Sequence, residues 1–219
     1  MKERVGLFGG TFDPVHCGHI RAAGEVLGRF SLDKVLFIPS FIPPHKERGG
    51  IAPACDRLRM VELACRAEPR FAASSIEVDA GEKSYSIITL EKVKRIYPGA
   101  WIFFVLGVDA FLEIETWRAH ERVLEECLFI VMTRPGYRLE QADRVRGGSR
   151  GEKVHHVSES EKIGEDLFGA RRIFFLPILA LDISSTEVRN RIGRGETIKG
   201  LVPEAVGDYI RSHHLYRGT

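Results

Sequence analysis

The chain has 219 residues, of which 44% are hydrophobic and 28% charged; that is length for one domain, with or without an appendage, and apolar content for a full core, which excludes global disorder. A formal net charge of +2 gives no reason to expect a broad nucleic-acid surface, so any basic function is local. The start Met1-Lys2-Glu3-Arg4 lacks a signal-peptide core, no run approaches the roughly 18 apolar residues of a membrane helix, and Cys17, Cys55, Cys65 and Cys127 show no C-x-x-C spacing, so they read as reduced thiols of a cytoplasmic protein.

Apolar β-rich runs alternate with helical patterns. Val5-Gly6-Leu7-Phe8 reads as a buried first strand, followed by a glycine turn and a helix that starts near His16 to His19. Val35 to Pro39 reads as a second strand, and Asp56 to Ala67 has helical spacing through Leu58, Val61, Leu63 and Ala64. Ile76-Glu77-Val78 reads as a further strand, and Ile87 to Ile96 as a helix that stops before Pro98-Gly99. Trp101 to Leu106, Cys127 to Met132 and Ile173 to Leu176 are continuous apolar runs, the mark of strands buried on both faces. Helices must cover both faces of such a sheet, so the fold expected is α/β, a doubly wound parallel sheet of Rossmann-like form.

Residues 1–219 read as a single domain, with a polar excursion at about 134–169 and a C-terminal helical part from about Ser184. The excursion, centred on Gly147-Gly148-Ser149-Arg150-Gly151, is expected to hold a loop and a short helix. The paired histidines His155-His156 and His213-His214 lack metal spacing with acidic partners and read as surface residues.

Chemistry concentrates in Gly9-Gly10-Thr11-Phe12-Asp13-Pro14-Val15-His16-Cys17-Gly18-His19. The glycines match neither the dinucleotide fingerprint nor the P-loop. They allow close backbone approach, and Pro14 breaks the chain before a helix starts. His16 and His19, at i and i+3, project to one side of a helix N-terminus, where N–H groups favour anions and above all phosphate. Gly18 leaves room for a phosphate between them. A second anion site is offered by Asp182-Ile183-Ser184-Ser185-Thr186-Glu187-Val188-Arg189: Ser184 or Ser185 caps a helix, and Arg189 lies one turn in as a planar fork. Read alone, that segment is more simply a plain capped helix with a surface arginine. Both motifs belong at the carboxyl edge of the sheet, where open α/β folds bind ligands.

Together these residues resemble the nucleotidyltransferase superfamily marked by H-x-G-H and I-S-S-T-x-x-R, and within it the bacterial nicotinate-nucleotide adenylyltransferases. Gly9 to His19 matches G-G-T-F-D-P-x-H-x-G-H in full, and Pro43-Pro44-His45-Lys46 matches the P-P-H-K segment. Ser84 to Leu90 resembles S-Y-T-x-x-T-L with Ser86 in place of the more usual threonine. Leu106-Gly107-Val108-Asp109 with Thr116-Trp117 resembles the substrate-pocket pair, and Leu201 to Ile210 the closing helix.

The resemblance implies adenylyl transfer from ATP to nicotinate mononucleotide, giving nicotinate adenine dinucleotide and pyrophosphate. Magnesium would be bound mainly through the ATP phosphates, with no dedicated protein metal site. It implies catalytic roles for His16, His19, Lys46 and Arg189. ATP would be held by Gly9, Gly10, Thr11, Phe12, His16, His19, Ser184, Ser185, Thr186 and Arg189, with His19 at the α-phosphate. The nicotinate nucleotide would be held by Lys46, Tyr85, Ser86, Asp109, Trp117 and Arg134. Asp109 is alternatively a helix N-cap, and Trp117 alternatively core packing. The substrates implied are small molecules, with no nucleic acid and no membrane; oligomeric state stays open, a homo-oligomer among the options. Competing readings are a sister adenylyltransferase acting on phosphopantetheine or a flavin nucleotide, and a nucleotide-binding protein without catalysis.

Overall fold

The computed structural model describes residues 2–42, 51–133, 154–158, 161–170, 172–178 and 182–217. Strands β1 (Arg4–Gly10), β2 (Lys34–Pro39), β3 (Phe71–Ala73), β4 (Trp101–Gly107), β5 (Leu128–Thr133), β6 (Val154–His156) and β7 (Ile173–Pro177) form a seven-stranded sheet in the order β3-β2-β1-β4-β5-β7-β6. The pairs β1–β4, β4–β5, β5–β7 and β6–β7 are parallel. Helices α1 (Cys17–Arg29), α2 (Ala54–Cys65), α3 (Ser86–Ile96), α4 (Val108–Leu112), α5 (His120–Glu126), α6 (Ser185–Gly193) and α7 (Glu204–Ser212) connect and follow the strands. The architecture is the α/β, Rossmann-like one expected from the alternation of apolar runs and helical patterns. Every residue of β5 is buried, as its unbroken run Leu128 to Thr133 requires of an interior parallel strand.

The chain divides into two compact units: Met1–Phe8, Gly24–Val35 and Tyr85–Ala180 make the first, and Gly9–Ala23, Leu36–Ser84 and Leu181–Thr219 the second. The first is built on aromatic packing. Phe30 meets Phe103 and Phe174 edge to face at ring-centroid separations of 5.8 and 5.4 Å, and Phe168 meets Phe103 at 5.0 Å, arrangements that suit the ring quadrupoles. Gly6 lets β1 lie close to Leu32: a Cβ there would lie 2.9 Å from Leu32 Cδ1.

The polar excursion is a correction in part. Residues 134–153 lie outside the described residues. Beyond them, β6 adds an edge strand parallel to β7, and Val157 N–H continues the ladder to the Phe175 carbonyl at 2.9 Å. A short 3-10 turn, Glu165–Leu167, supplies the expected helical piece. Glu165 accepts from Trp101 Nε1 at 2.9 Å and pairs with Arg4 at 3.6 Å, while Ile163 N–H bonds the Arg29 carbonyl. A three-residue strand of mixed polarity carries no periodicity to read, which is why β6 escapes sequence analysis. His155 is half-buried against Phe174 with Glu161 2.8 Å away, which corrects its reading as a surface residue. His156, His213 and His214 are exposed, as expected.

In the second unit the expected strand at Ile76 to Val78 is a turn. Asp79 N–H bonds the Ser75 carbonyl at 2.7 Å, the Ser75 hydroxyl bonds the Asp79 carboxylate, and Gly81 reverses the chain at φ +63°. Such local side-chain bonds compete with a sheet ladder. The strand lies earlier, at β3, where Phe71 packs on Phe37 at 5.3 Å and Ser74 N–H bonds the Phe37 carbonyl.

Candidate active site

The second unit carries the glycine turn, the histidine pair and the serine-capped helix. β1 ends at Gly10, where a Cβ would sit 3.1 Å from the Phe12 ring, so glycine lets that ring fold back. Phe12 adopts φ +49° in the left-handed region, is buried, and sets its ring edge to face on His19 at 5.1 Å. Gly9 would meet nothing within 4 Å with a Cβ, so its backbone has open space beside it. The Asp13–Pro14 peptide is cis.

The loop is pinned from beneath by Arg57 of α2, which is fully buried. Its guanidinium donates to the carbonyls of Thr11 at 2.7 Å, Ala52 at 2.9 Å and Phe41 at 3.1 Å. Asp13 is buried too. Its Oδ1 accepts from Tyr216 Oη at 2.8 Å and from Ala52 N–H at 3.1 Å, while Oδ2 lies 3.6 Å from Arg189 Nη1.

His16 and His19 stack with ring centroids 3.6 Å apart and planes 26° from parallel. The His16 backbone N–H donates to His19 Nδ1 at 3.2 Å. That nitrogen is therefore the acceptor, and the proton of a neutral ring sits on Nε2, leaving Nε2–H as the donor. Burial lowers the His16 pKa to about 4, and burial together with the neighbouring His16 lowers that of His19 to about 3. Both rings are neutral at pH 7. His16 Nδ1 is buried without a hydrogen-bond partner, the condition of a group arranged for something other than the protein's own cohesion.

Gly18 has a different reason than the space for phosphate read from the sequence. A Cβ there would lie 3.0 Å from His16 Nδ1 and Cε1, so glycine admits the His16 ring. The helix N-terminus is also less open than expected, because the first N–H of α1, at Cys17, bonds the Leu201 carbonyl at 2.8 Å.

Ser184 is the N-cap of α6 and accepts from Glu187 N–H at 3.1 Å, as its position before the helix foretold. Ser185 Oγ donates to the Pro14 carbonyl at 3.0 Å. Arg189 Nη1 donates to the Asp13 carbonyl at 2.7 Å, and Nη2 to Thr186 Oγ1 at 3.3 Å. The two sequence motifs, about 170 residues apart, are thus bonded to each other, and Arg189 is a fork fixed at the glycine loop.

The remaining residues predicted for the site belong to the first unit or fall outside the described residues. Tyr85 precedes α3 in extended conformation and Ser86 opens that helix, both half-buried. The Arg118 guanidinium lies over the Tyr85 ring at 5.0 Å, which brings the turn bearing Trp117 to the start of α3. Trp117 is half-buried and meets Phe104 edge to face at 5.6 Å, so part of its surface is packing and part is open. Asp109 sits exposed in the first turn of α4, whose N-cap is Gly107; the N-cap alternative for Asp109 is overturned. Lys46, with Pro43, Pro44 and His45, and Arg134 lie outside the described residues.

Sequence reasoning missed Asp13, Arg57 and Tyr216. Asp13 stood inside the recognised motif as a conspicuous carboxylate, so a signal existed. Arg57 and Tyr216 stood in an ordinary helix and a C-terminal tail, with nothing local to mark them.

Among the described residues there is no group of three or more His, Cys, Asp or Glu side chains placed to hold a metal ion, and no helix long and apolar enough to cross a membrane.

Comparison with known proteins gives one consistent result. A family model described as cytidylyltransferase-like matches residues 7–191. A protein of Desulfatibacillum aliphaticivorans named "Probable nicotinate-nucleotide adenylyltransferase" is 42% identical, over 97% of this chain and 99% of its own length. A relative of the same name from Thermus thermophilus is 37% identical over 98% of this chain and 100% of its own length. Among solved structures, Plasmodium falciparum nicotinic acid mononucleotide adenylyltransferase complexed with NaAD superposes with a TM-score of 0.71 at 18% identity, covering 98% of this chain and 97% of that one; at such identity the likeness shows the fold.

Proposed function

Because the chain belongs to the nicotinate-nucleotide adenylyltransferase family of cytidylyltransferase-like proteins, we propose that it transfers AMP from ATP to nicotinate mononucleotide in NAD biosynthesis. The products are nicotinate adenine dinucleotide and pyrophosphate. The observation that carries the reading is the neutral His16–His19 stack at the end of a glycine loop whose Asp13 carbonyl is bonded by Arg189.

The chemistry needs little else. A phosphate oxygen of nicotinate mononucleotide attacks the α-phosphorus of ATP, and the bond from that phosphorus to the oxygen bridging the α- and β-phosphates breaks. The electron pair leaves with pyrophosphate. The attacking oxygen is already ionised, so no base is required, and positioning with charge stabilisation suffices. His19 offers Nε2–H to a non-bridging α-phosphate oxygen as charge shifts there. A neutral imidazole donor with its tautomer fixed by a backbone N–H needs no reorganisation during the step. His16 assists on the phosphates, Gly9, Gly10, Thr11 and Phe12 line the nucleotide, and Arg189 with Ser184, Ser185 and Thr186 receives the departing pyrophosphate. Lys46 and Arg134 add positive charge, and Tyr85, Ser86, Asp109 and Trp117 receive the nicotinate nucleotide, the indole face suiting a flat pyridine ring.

Magnesium fits as a metal carried by the phosphates and water. The buried carboxylate of the loop, Asp13, is engaged by Tyr216, Ala52 and Arg189 and is not a ready ligand. When bound, the ion neutralises charge on the triphosphate. We place the enzyme in the cytoplasm.

The test is a panel of acceptors with ATP: nicotinate mononucleotide, nicotinamide mononucleotide, phosphopantetheine and flavin mononucleotide, read as pyrophosphate release and product mass. Preference for nicotinate mononucleotide is expected. Preference for another acceptor replaces the substrate assignment, and ATP binding without turnover of any acceptor replaces the enzyme reading.

A further inference from the structure

We propose that Tyr216, in the C-terminal tail, is a positioning residue for the triphosphate, acting through Asp13 on Arg189; the inference rests on the phosphate role of Arg189 given above.

Beyond α7 the chain turns back on itself as far as Tyr216. His214 and Tyr216 take φ of +54° and +62°, conformations that side chains other than glycine rarely adopt and that persist only where surroundings over-determine them. The Leu215 N–H bonds the Ile210 carbonyl at 3.1 Å, turning the chain back so that the Tyr216 side chain is buried, 7% exposed. Its hydroxyl donates to Asp13 Oδ1 across 203 residues of sequence.

Asp13 is the hub. One carboxylate oxygen takes the tyrosine hydroxyl and the Ala52 N–H, and the other faces Arg189 at 3.6 Å. Arg189 is held at two points of the same residue, since its Nη1 also donates to the Asp13 carbonyl at 2.7 Å. The rotation of the Asp13 carboxyl therefore sets where the Arg189 fork stands, and Tyr216 is one of the two donors fixing that rotation. Desolvation at a buried carboxylate makes each such donor count. The tail thus links the last turn of the chain to the fork that receives phosphate, without touching substrate itself.

The experiment is a double-mutant cycle on the full chain with Tyr216→Phe and Arg189→Lys, read as the Kd for ATP by calorimetry and as kcat with nicotinate mononucleotide. Tyr216→Phe removes one oxygen and keeps the ring in place. In the wild-type background it is expected to weaken ATP binding by at least about fivefold, the scale for losing a bond to a charged group. In the Arg189→Lys background, where the fork is already lost, the same change is expected to do little, because residues acting through one another are non-additive. Equal weakening in both backgrounds, or a fall in Tm with unchanged Kd, overturns the proposal. Should Tyr216→Phe fold poorly, Asp13→Asn substitutes in the same cycle, with coupling to Arg189 expected and additivity contradicting. A wild-type chain that binds ATP with this coupling but forms no dinucleotide would overturn the assigned reaction and leave the positioning role standing; a chain that binds no ATP would overturn both.

Discussion

Burial sets the protonation state of His16 and His19, and that state has a signature in stability. The folded pKa values lie near 4 and 3, below the ordinary 6.5. Between those values the unfolded chain binds protons that the folded chain refuses. Stability from this source is complete above about pH 6.5 and is lost as pH falls toward 4 for His16 and 3 for His19, by up to about 1.4 kcal/mol per pH unit for each ring. Urea unfolding between pH 7 and pH 5 should show a falling midpoint in the wild type and a flatter profile in a His16→Asn/His19→Asn variant. Identical slopes would mean that the rings are protonated in the folded protein. Gly18 belongs to the same scale. It was legible as a motif residue, but its reason, a Cβ 3.0 Å from the His16 ring, was not, because a rotamer is invisible in a sequence.

Elements position these side chains, and α2 does so through Arg57. A buried guanidinium that satisfies three loop carbonyls holds the glycine turn to the helix behind it. Arg57→Met fills similar volume but orphans those carbonyls, and is expected to lower stability by on the order of 3 kcal/mol in denaturant unfolding. A loss under about 1 kcal/mol would show that water replaces the guanidinium. The strands β4, β5 and β7 were legible because a strand buried on both faces must be continuously apolar. The turn at Ser75 to Gly81 was misread because Ile76 and Val78 satisfy the strand pattern while Ser75 and Asp79 satisfy each other. β6 gave no pattern at all. Ser184 and Arg189 were legible because a cap and a residue one turn later follow from local geometry. The bonds from Ser185 and Arg189 to Pro14 and Asp13 were not, since they join positions 171 and 176 residues apart.

At the scale of the molecule, an α/β sheet ends its first strand in a loop that a C-terminal helix and tail hold from afar. The motif Gly9 to His19 specified the reaction class from sequence, and the family match over nearly the whole chain carries the acceptor. What neither sequence motif specified is how the loop is kept rigid: Arg57, Asp13 and Tyr216 do that through contacts only the fold creates. The central claim is that a neutral His19, oriented by the His16 backbone, donates to the phosphate under attack. It is tested most directly by kcat for His19→Ala with ATP and nicotinate mononucleotide, the fold being checked by circular dichroism. A fall of at least about 10²-fold is expected, the scale for losing one donor to developing charge. An unchanged kcat in a folded variant would contradict it.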